Sequence, residues 1–91
     1  MKVILIDPDA ELEYFVEWQR WLAPFDDELE TSAWIISPDT LVRGLEIKTA
    51  TRATIWLSGA QAGTVYLVTN RIHTLQGRDD DRSFKLVGRE R

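Results

Sequence analysis

The chain has one histidine, His73, and its carboxylates cluster at Asp26-Asp27 and Asp79-Asp80-Asp81; these are the first residues to weigh for chemistry. A histidine works as a base, or at the centre of a triad, only with a nucleophile or carboxylate held at fixed geometry. The residues just before His73 are Asn70, Arg71 and Ile72, so nothing local fills that role, and His73 reads as a solvent-exposed strand residue. Ser58-Gly59 reads as a turn without the G-x-S-x-G surroundings of a nucleophile elbow. Gly59 and Gly63 lack the Lys-Ser/Thr that follows a phosphate-cradling loop. There is no cysteine, which removes thiol catalysis, disulfides and thiolate zinc sites. Asp7-Pro8-Asp9-Ala10-Glu11 begins like a calcium loop. However, the glycine that an EF-hand needs at its sixth position is Leu12, and the closing glutamate is Trp18. A calcium site of another kind, built between loops, stays open. Arg78-Asp79-Asp80-Asp81-Arg82 reads as a hairpin loop with local ion pairs of small value. The residues therefore predict no enzyme, no cofactor and no small-molecule substrate.

The aromatic residues are more unusual. Tyr14, Phe15, Trp18, Trp21 and Phe25 fall within twelve positions, and there are four Trp in 91 residues. In a strand, Tyr14, Val16 and Trp18 share one face. Glu13, Phe15 and Glu17 share the other, which those acids direct to solvent. Two readings follow. In one, Trp18 and Trp21 are both core, with a bulge between them shifting the phase. In the other, Phe15, Trp21 and Phe25 form an exposed patch that a partner protein covers.

These residues need elements to position them. Ninety-one residues suffice for one domain spanning 1–91, with little surplus stability. Helical periodicity is poor throughout. Apolar residues alternate instead, with β-branched and aromatic types, over about 2–6, 12–19, 32–37, 44–49, 53–58, 64–73 and 82–88. Seven short strands at this spacing predict an all-β, immunoglobulin-like or fibronectin III-like sandwich of antiparallel strands. Asp7-Pro8-Asp9, Ser37-Pro38-Asp39, Ser58–Gly63 and Gln76–Asp80 supply the breaks. Residues 23–30 form the longest irregular stretch. Alternation places Tyr14, Val16, Trp18, Trp34, Ile36, Ile55, Leu57, Tyr66, Val68, Phe84 and Leu86 inside, with either Val3 and Leu5 or Ile4 and Ile6. A slip of one residue reverses each assignment.

The net charge of −4 hides an asymmetry. Residues 1–48 carry eleven acids against four bases, which is −7; residues 49–91 carry seven bases against four acids, which is +3. An acidic chain lacks the concentrated basic face of a nucleic-acid binder. Either Arg and Asp alternate on solvated strands, or copies self-associate head to tail through complementary charge. The opening Met1–Asp7 has only a four-residue apolar run, too short for a signal peptide or a membrane helix. It predicts a protein made and used in soluble form, away from the membrane, and the lack of cysteine favours a reducing compartment.

The ordered run Asp7-Pro8-Asp9-Ala10, Leu12-Glu13-Tyr14, Val16-Glu17-Trp18, Trp21-Leu22 and Ser32-Ala33-Trp34 resembles a family of small bacteriophage and prophage structural proteins of the fibre-tail adaptor or head–tail region type. Thr54–Gly59, Ala62–Tyr66, Val68–Ile72, Gly77-Arg78 and Asp81–Phe84 continue the likeness over nearly the whole chain. The chain departs from the family at Ala23-Pro24-Phe25, where members usually have a small-residue turn. The resemblance implies an immunoglobulin-like sandwich without catalytic residues that binds other phage structural proteins. It implies residence in the host cytoplasm during assembly, then in the virion. In fibronectin III-like domains, a Tyr after a Gly-Thr step places its ring in the core and ties its hydroxyl to a loop carbonyl; Tyr66 is similar. An alternative is a general binding module that recognises carbohydrate or a host surface protein through exposed aromatics. Tight burial of all four Trp would remove it.

Overall fold

The computed structural model describes residues 1–90. Seven strands form two packed sheets, joined by one helical corner. The strands are β1 (Val3–Ile6), β2 (Leu12–Glu17), β3 (Leu29–Ser37), β4 (Val42–Lys48), β5 (Arg52–Ser58), β6 (Val65–Thr74) and β7 (Asp79–Gly88). The larger sheet has the order β1-β7-β6-β3 and the smaller β2-β5-β4. The molecule is elongated, with principal extents of 42 × 24 × 19 Å.

Alternation explains the core. In β5, Ala53, Ile55 and Leu57 are fully buried, and between them Thr54 and Trp56 face outward. In β6, Tyr66, Val68, Asn70, Ile72 and Thr74 point inward on the same two-residue period. Trp34, Ile36, Phe84 and Leu86 close the layer, as expected from the sequence. Each buried Leu, Ile or Phe contributes about 1.5–3 kcal/mol relative to exposure. Of the two options for the first strand, Ile4 and Ile6 face the core, while Val3 and Leu5 face out. Tyr66 is fully buried, but its hydroxyl accepts the backbone N–H of Gln61 at 2.9 Å rather than meeting a carbonyl. Gly88 seals this end of the sandwich. Its N–H donates to the Thr64 carbonyl and its own carbonyl accepts from Gly63. Any side chain at 88 would overlap the Gln61 carbonyl.

The sheets differ from the expected pattern in three places. First, the strands are not all antiparallel: β1 runs parallel to β7, with Val3 opposite Lys85 and Ile6 opposite Gly88. Second, the strand expected over 12–19 ends at Glu17. The chain turns through helix α1 (Gln19–Leu22) and a 3₁₀ turn (Ala23–Phe25), not through a bulge. Pro24 suits the first turn of a helix, and Asp26 closes it with φ +51°, a left-handed conformation that Asp tolerates. This corner buries Trp18 and Leu22 completely. Third, β3 begins at Leu29 and β7 at Asp79, each three residues earlier than expected. Residues 79–82 therefore belong to the ladder with β6, and His73 lies opposite Asp79.

Candidate functional site

Three arginines of the basic half cover aromatic rings of the acidic half. Arg52 lies over Phe15 at 4.4 Å and pairs with Glu17 at 2.8 Å. Arg82 lies over Trp18 at 4.2 Å and donates to the Glu17 carbonyl. Arg78 lies over both Trp21, at 4.0 Å, and Phe25, at 4.4 Å. Trp18 and Trp21 meet edge to face. The run Arg78–Arg82 is thus not a loop of local ion pairs: its two arginines reach across to the helical corner. Part of the opposite charge of the two halves is satisfied inside one chain.

Asp27 anchors the seam. Its side chain is inaccessible to solvent. Oδ2 accepts from Arg78 Nε at 3.1 Å, and Oδ1 accepts the backbone N–H groups of Glu28 and Gln76. Burial raises the Asp27 pKa, but hydrogen bonds from Thr74, Glu28, Arg78 and Gln76 outweigh it and hold the carboxyl below its ordinary value. Gln76 also donates to the Phe25 carbonyl, so the tip of the β6–β7 hairpin is bolted to the 3₁₀ turn. Arg78 Nη2 is buried with no hydrogen-bond partner among the described residues. The two ring faces stabilise its charge in place of a hydrogen bond.

The structure therefore brings Trp21 and Phe25 together under Arg78 and leaves Phe15 apart, on the outer face of β2 under Arg52. Phe15 and Phe25 are 52% and 59% exposed; Trp21 packs partly against the core. Trp18 and Trp34 are buried, while Trp21 and Trp56 are half-buried. Trp21 is already engaged by Trp18 and Arg78, which leaves it little free ring surface for stacking on a sugar.

His73 is half-buried, and the carboxylate that its sequence neighbourhood lacks comes from across the hairpin. Nδ1 lies 2.7 Å from Asp79 Oδ1, and Nε2 lies 3.9 Å from Glu30. The Asp79 hydrogen bond raises its pKa, against a smaller opposing effect of burial; the charges of Asp79, Glu30 and Asp27 add to the rise. No nucleophile adjoins this pair among the polar contacts of the described residues. The described residues also contain no cluster of three or more metal-ligating side chains, and no helix long and apolar enough to cross a membrane.

A second surface was not foreseen. On the outer face of the larger sheet, register aligns Leu5, Val87 and Val65 in one row, then Val3, Lys85 and Leu67, then Ser83, Thr69 and Ile35. Val3, Leu5, Ile35, Val65 and Leu67 are each 38–57% exposed. The signal lay in the strands themselves. Val3-Ile4-Leu5-Ile6 and Val65-Tyr66-Leu67-Val68 are apolar on both faces, the composition of strands covered on both sides. The far row of the outer face, at Val65, and the helical corner, beside the Thr74 end, lie at opposite ends of β6, about 30 Å apart at the usual rise per strand residue.

Two packed sheets, polar groups directed to internal anchoring and an apolar outer face together define a class: small two-sheet β proteins with an exposed apolar face. The chain belongs to the family of the podophage GP4 fiber-tail adaptor protein gp77, whose model matches residues 7–87. Membership implies a structural, non-catalytic adaptor role in a phage tail, and hence residence in the virion. No curated protein matches the chain.

Proposed function

We propose that this protein is a one-domain, immunoglobulin-like adaptor that binds two virion proteins at once, through its two ends. The observation that carries the reading is the apolar outer face around Val65 and Leu67. Scattered exposed apolar residues are ordinary, but the row Leu5, Val87 and Val65, apolar across three strands with Val3 and Leu67 beside it, supports a docking surface. The second contact is the corner of Trp21 and Phe25, which the Asp27–Arg78 anchor holds rigid; Phe15, apart from it on β2, is a further exposed aromatic. An adaptor between fibre and tail needs two separate surfaces, and the long axis of the molecule separates these two. The immunoglobulin-like assignment is supported by strand order. The series β7-β6-β3 and β2-β5-β4 follow the G-F-C and B-E-D orders of that fold, with a buried Trp34 on the third strand.

The test is assembly with the phage's own purified fibre and tail proteins, read by light scattering. The wild-type chain is expected to form a ternary complex. Leu67→Asp should weaken one partner roughly tenfold or more, equivalent to about 1.4 kcal/mol. Phe25→Ala should weaken the other. A chain that binds neither protein, or variants that assemble like wild type, would overturn the reading.

A further inference from the structure

Each sheet has two edge strands, and an unpaired edge is a template for another chain unless something blunts it. Three of the four edges are blunted here. β1 is four residues long and ends at Asp7-Pro8. β2 carries Glu13 and Glu17 in six residues. β4 carries Arg43, Glu46 and Lys48, and its register shifts between Arg43 and Glu46.

β3 carries no charge or register shift beyond its first residues, and only Pro38, just past its end, limits it. Its register shift lies between Leu29 and Thr31. There the β4–β5 turn also closes the edge, because Leu29 N–H donates to the Ala50 carbonyl and Lys48 Nζ donates to the Leu29 carbonyl. From Thr31 to Ser37 the sequence is Thr-Ser-Ala-Trp-Ile-Ile-Ser, without charge, proline or glycine. Among the described residues this stretch makes no backbone hydrogen bond outside its ladder with β6. In an antiparallel pair every second residue directs its N–H and C=O away from the partner strand. A row of unpaired backbone groups therefore runs along Thr31–Ser37. Acids flank it, with Glu28 and Glu30 before it, partly offset by Lys48 at the Leu29 carbonyl, and Asp39 after it; among the described residues only Glu30 of these acids has an ion-pair contact, to His73.

We infer that β3 is the strand-addition edge of this protein, and that its occupant is an extended segment of a partner protein, uncharged over its centre and basic at both ends. The backbone row supplies hydrogen bonds to the added strand. Exposed Ala33 and Ile35 contact its outward side chains, and the flanking acids set its ends by charge. The site is distinct from the Phe25 corner and shares only Ile35 with the outer face; its readout, the backbone amides of β3, is separate from the effects of Leu67→Asp and Phe25→Ala.

The probe is a short alternating threonine–valine peptide with a lysine at each end, compared with a twin that carries glutamates instead. Amide hydrogen exchange of the full chain is followed by NMR. The lysine-ended peptide is expected to slow exchange at alternate amides within Thr31–Ser37. The glutamate-ended twin should bind at least about tenfold more weakly, since like charges then face each other at both ends. Ile35→Lys, at an exposed position, should abolish the protection while leaving the thermal unfolding of the free chain unchanged. Protection that is absent, falls on β4 instead, is equal for both peptides, or survives Ile35→Lys would overturn the inference.

Discussion

The indole N–H of Trp18 donates to Oδ1 of Asn70 at 3.0 Å, and both side chains are fully buried. Asn70 Nδ2 in turn reaches Ser32 Oγ at 2.8 Å and the Ala33 carbonyl at 3.2 Å. One amide thus ties the helical corner, β6 and β3 together through the core. Removing it orphans the fully buried Trp18 N–H, at about 1–3 kcal/mol, and takes a donor from the part-buried Ser32 hydroxyl and Ala33 carbonyl. Asn70→Ala is expected to cost about 3–5 kcal/mol in urea unfolding, with an added cavity. Ser32→Ala, which removes one acceptor at the network's margin, should cost about 1 kcal/mol. Equal effects would show that the network is not centred on Asn70.

Asp27 sets the response to acid. Its folded pKa lies below its unfolded value, so its contribution is present above the ordinary carboxylate range and lost as pH falls through the folded value. The melting temperature of the wild type should therefore fall on acidification below that range. Asp27→Asn should be less stable at neutral pH and lose part of this acid dependence. The same acid slope in both proteins would assign it to other carboxylates.

The sign is opposite for His73. Its folded pKa is raised, chiefly by the Asp79 hydrogen bond, so its contribution is full below the unfolded value of about 6.5. It disappears as pH rises through the folded value. NMR titration should place the His73 midpoint above that of a free imidazole, and Asp79→Asn should lower it. A midpoint indifferent to Asp79→Asn would remove the pair from the account.

Gly88 gives a sharper steric test. An added methyl meets the Gln61 backbone carbonyl, which no rotamer change can move. Gly88→Ala is expected to destabilise by about 2–4 kcal/mol, the range of a forced backbone shift or overpacked contact. Gly77→Ala meets nothing nearby but must adopt φ +83°, so its smaller cost of about 1 kcal/mol isolates backbone strain from steric overlap.

What the sequence made legible follows from the two-residue period. Alternation finds Trp34, Ile55, Tyr66 and Leu86 in the core because a strand repeats its environment every second residue. It cannot find the corner from Trp18 to Phe25, because a four-residue helix never completes a helical pattern. It does not pair Asp27 with Arg78, which stand 51 positions apart with no local signal between them. For His73, the neighbours along the chain are legible, but the relevant neighbour lies across the hairpin. The outer apolar face is hidden for a different reason. Alternation selects one buried face per strand, while Val3–Ile6 and Val65–Val68 are apolar on both. The aromatic candidates were legible as residue types; that Arg78 joins Trp21 to Phe25 and that Arg52 takes Phe15 separately was not.

The parallel pairing of β1 with β7 has a mechanical meaning for a structural part of a phage tail. The two strands run side by side in the same direction, with Val3 beside Lys85 and Ile6 beside Gly88. Tension that pulls back on the start of β1 and forward on the end of β7 acts along the strands in opposite senses. The ladder hydrogen bonds then lie across the line of pull and are loaded in shear, all four registered pairs sharing the force together. The same load on an antiparallel hairpin, taken at its open end, peels the bonds one at a time. The first and last strands thus clasp the protein shut against tension applied along them.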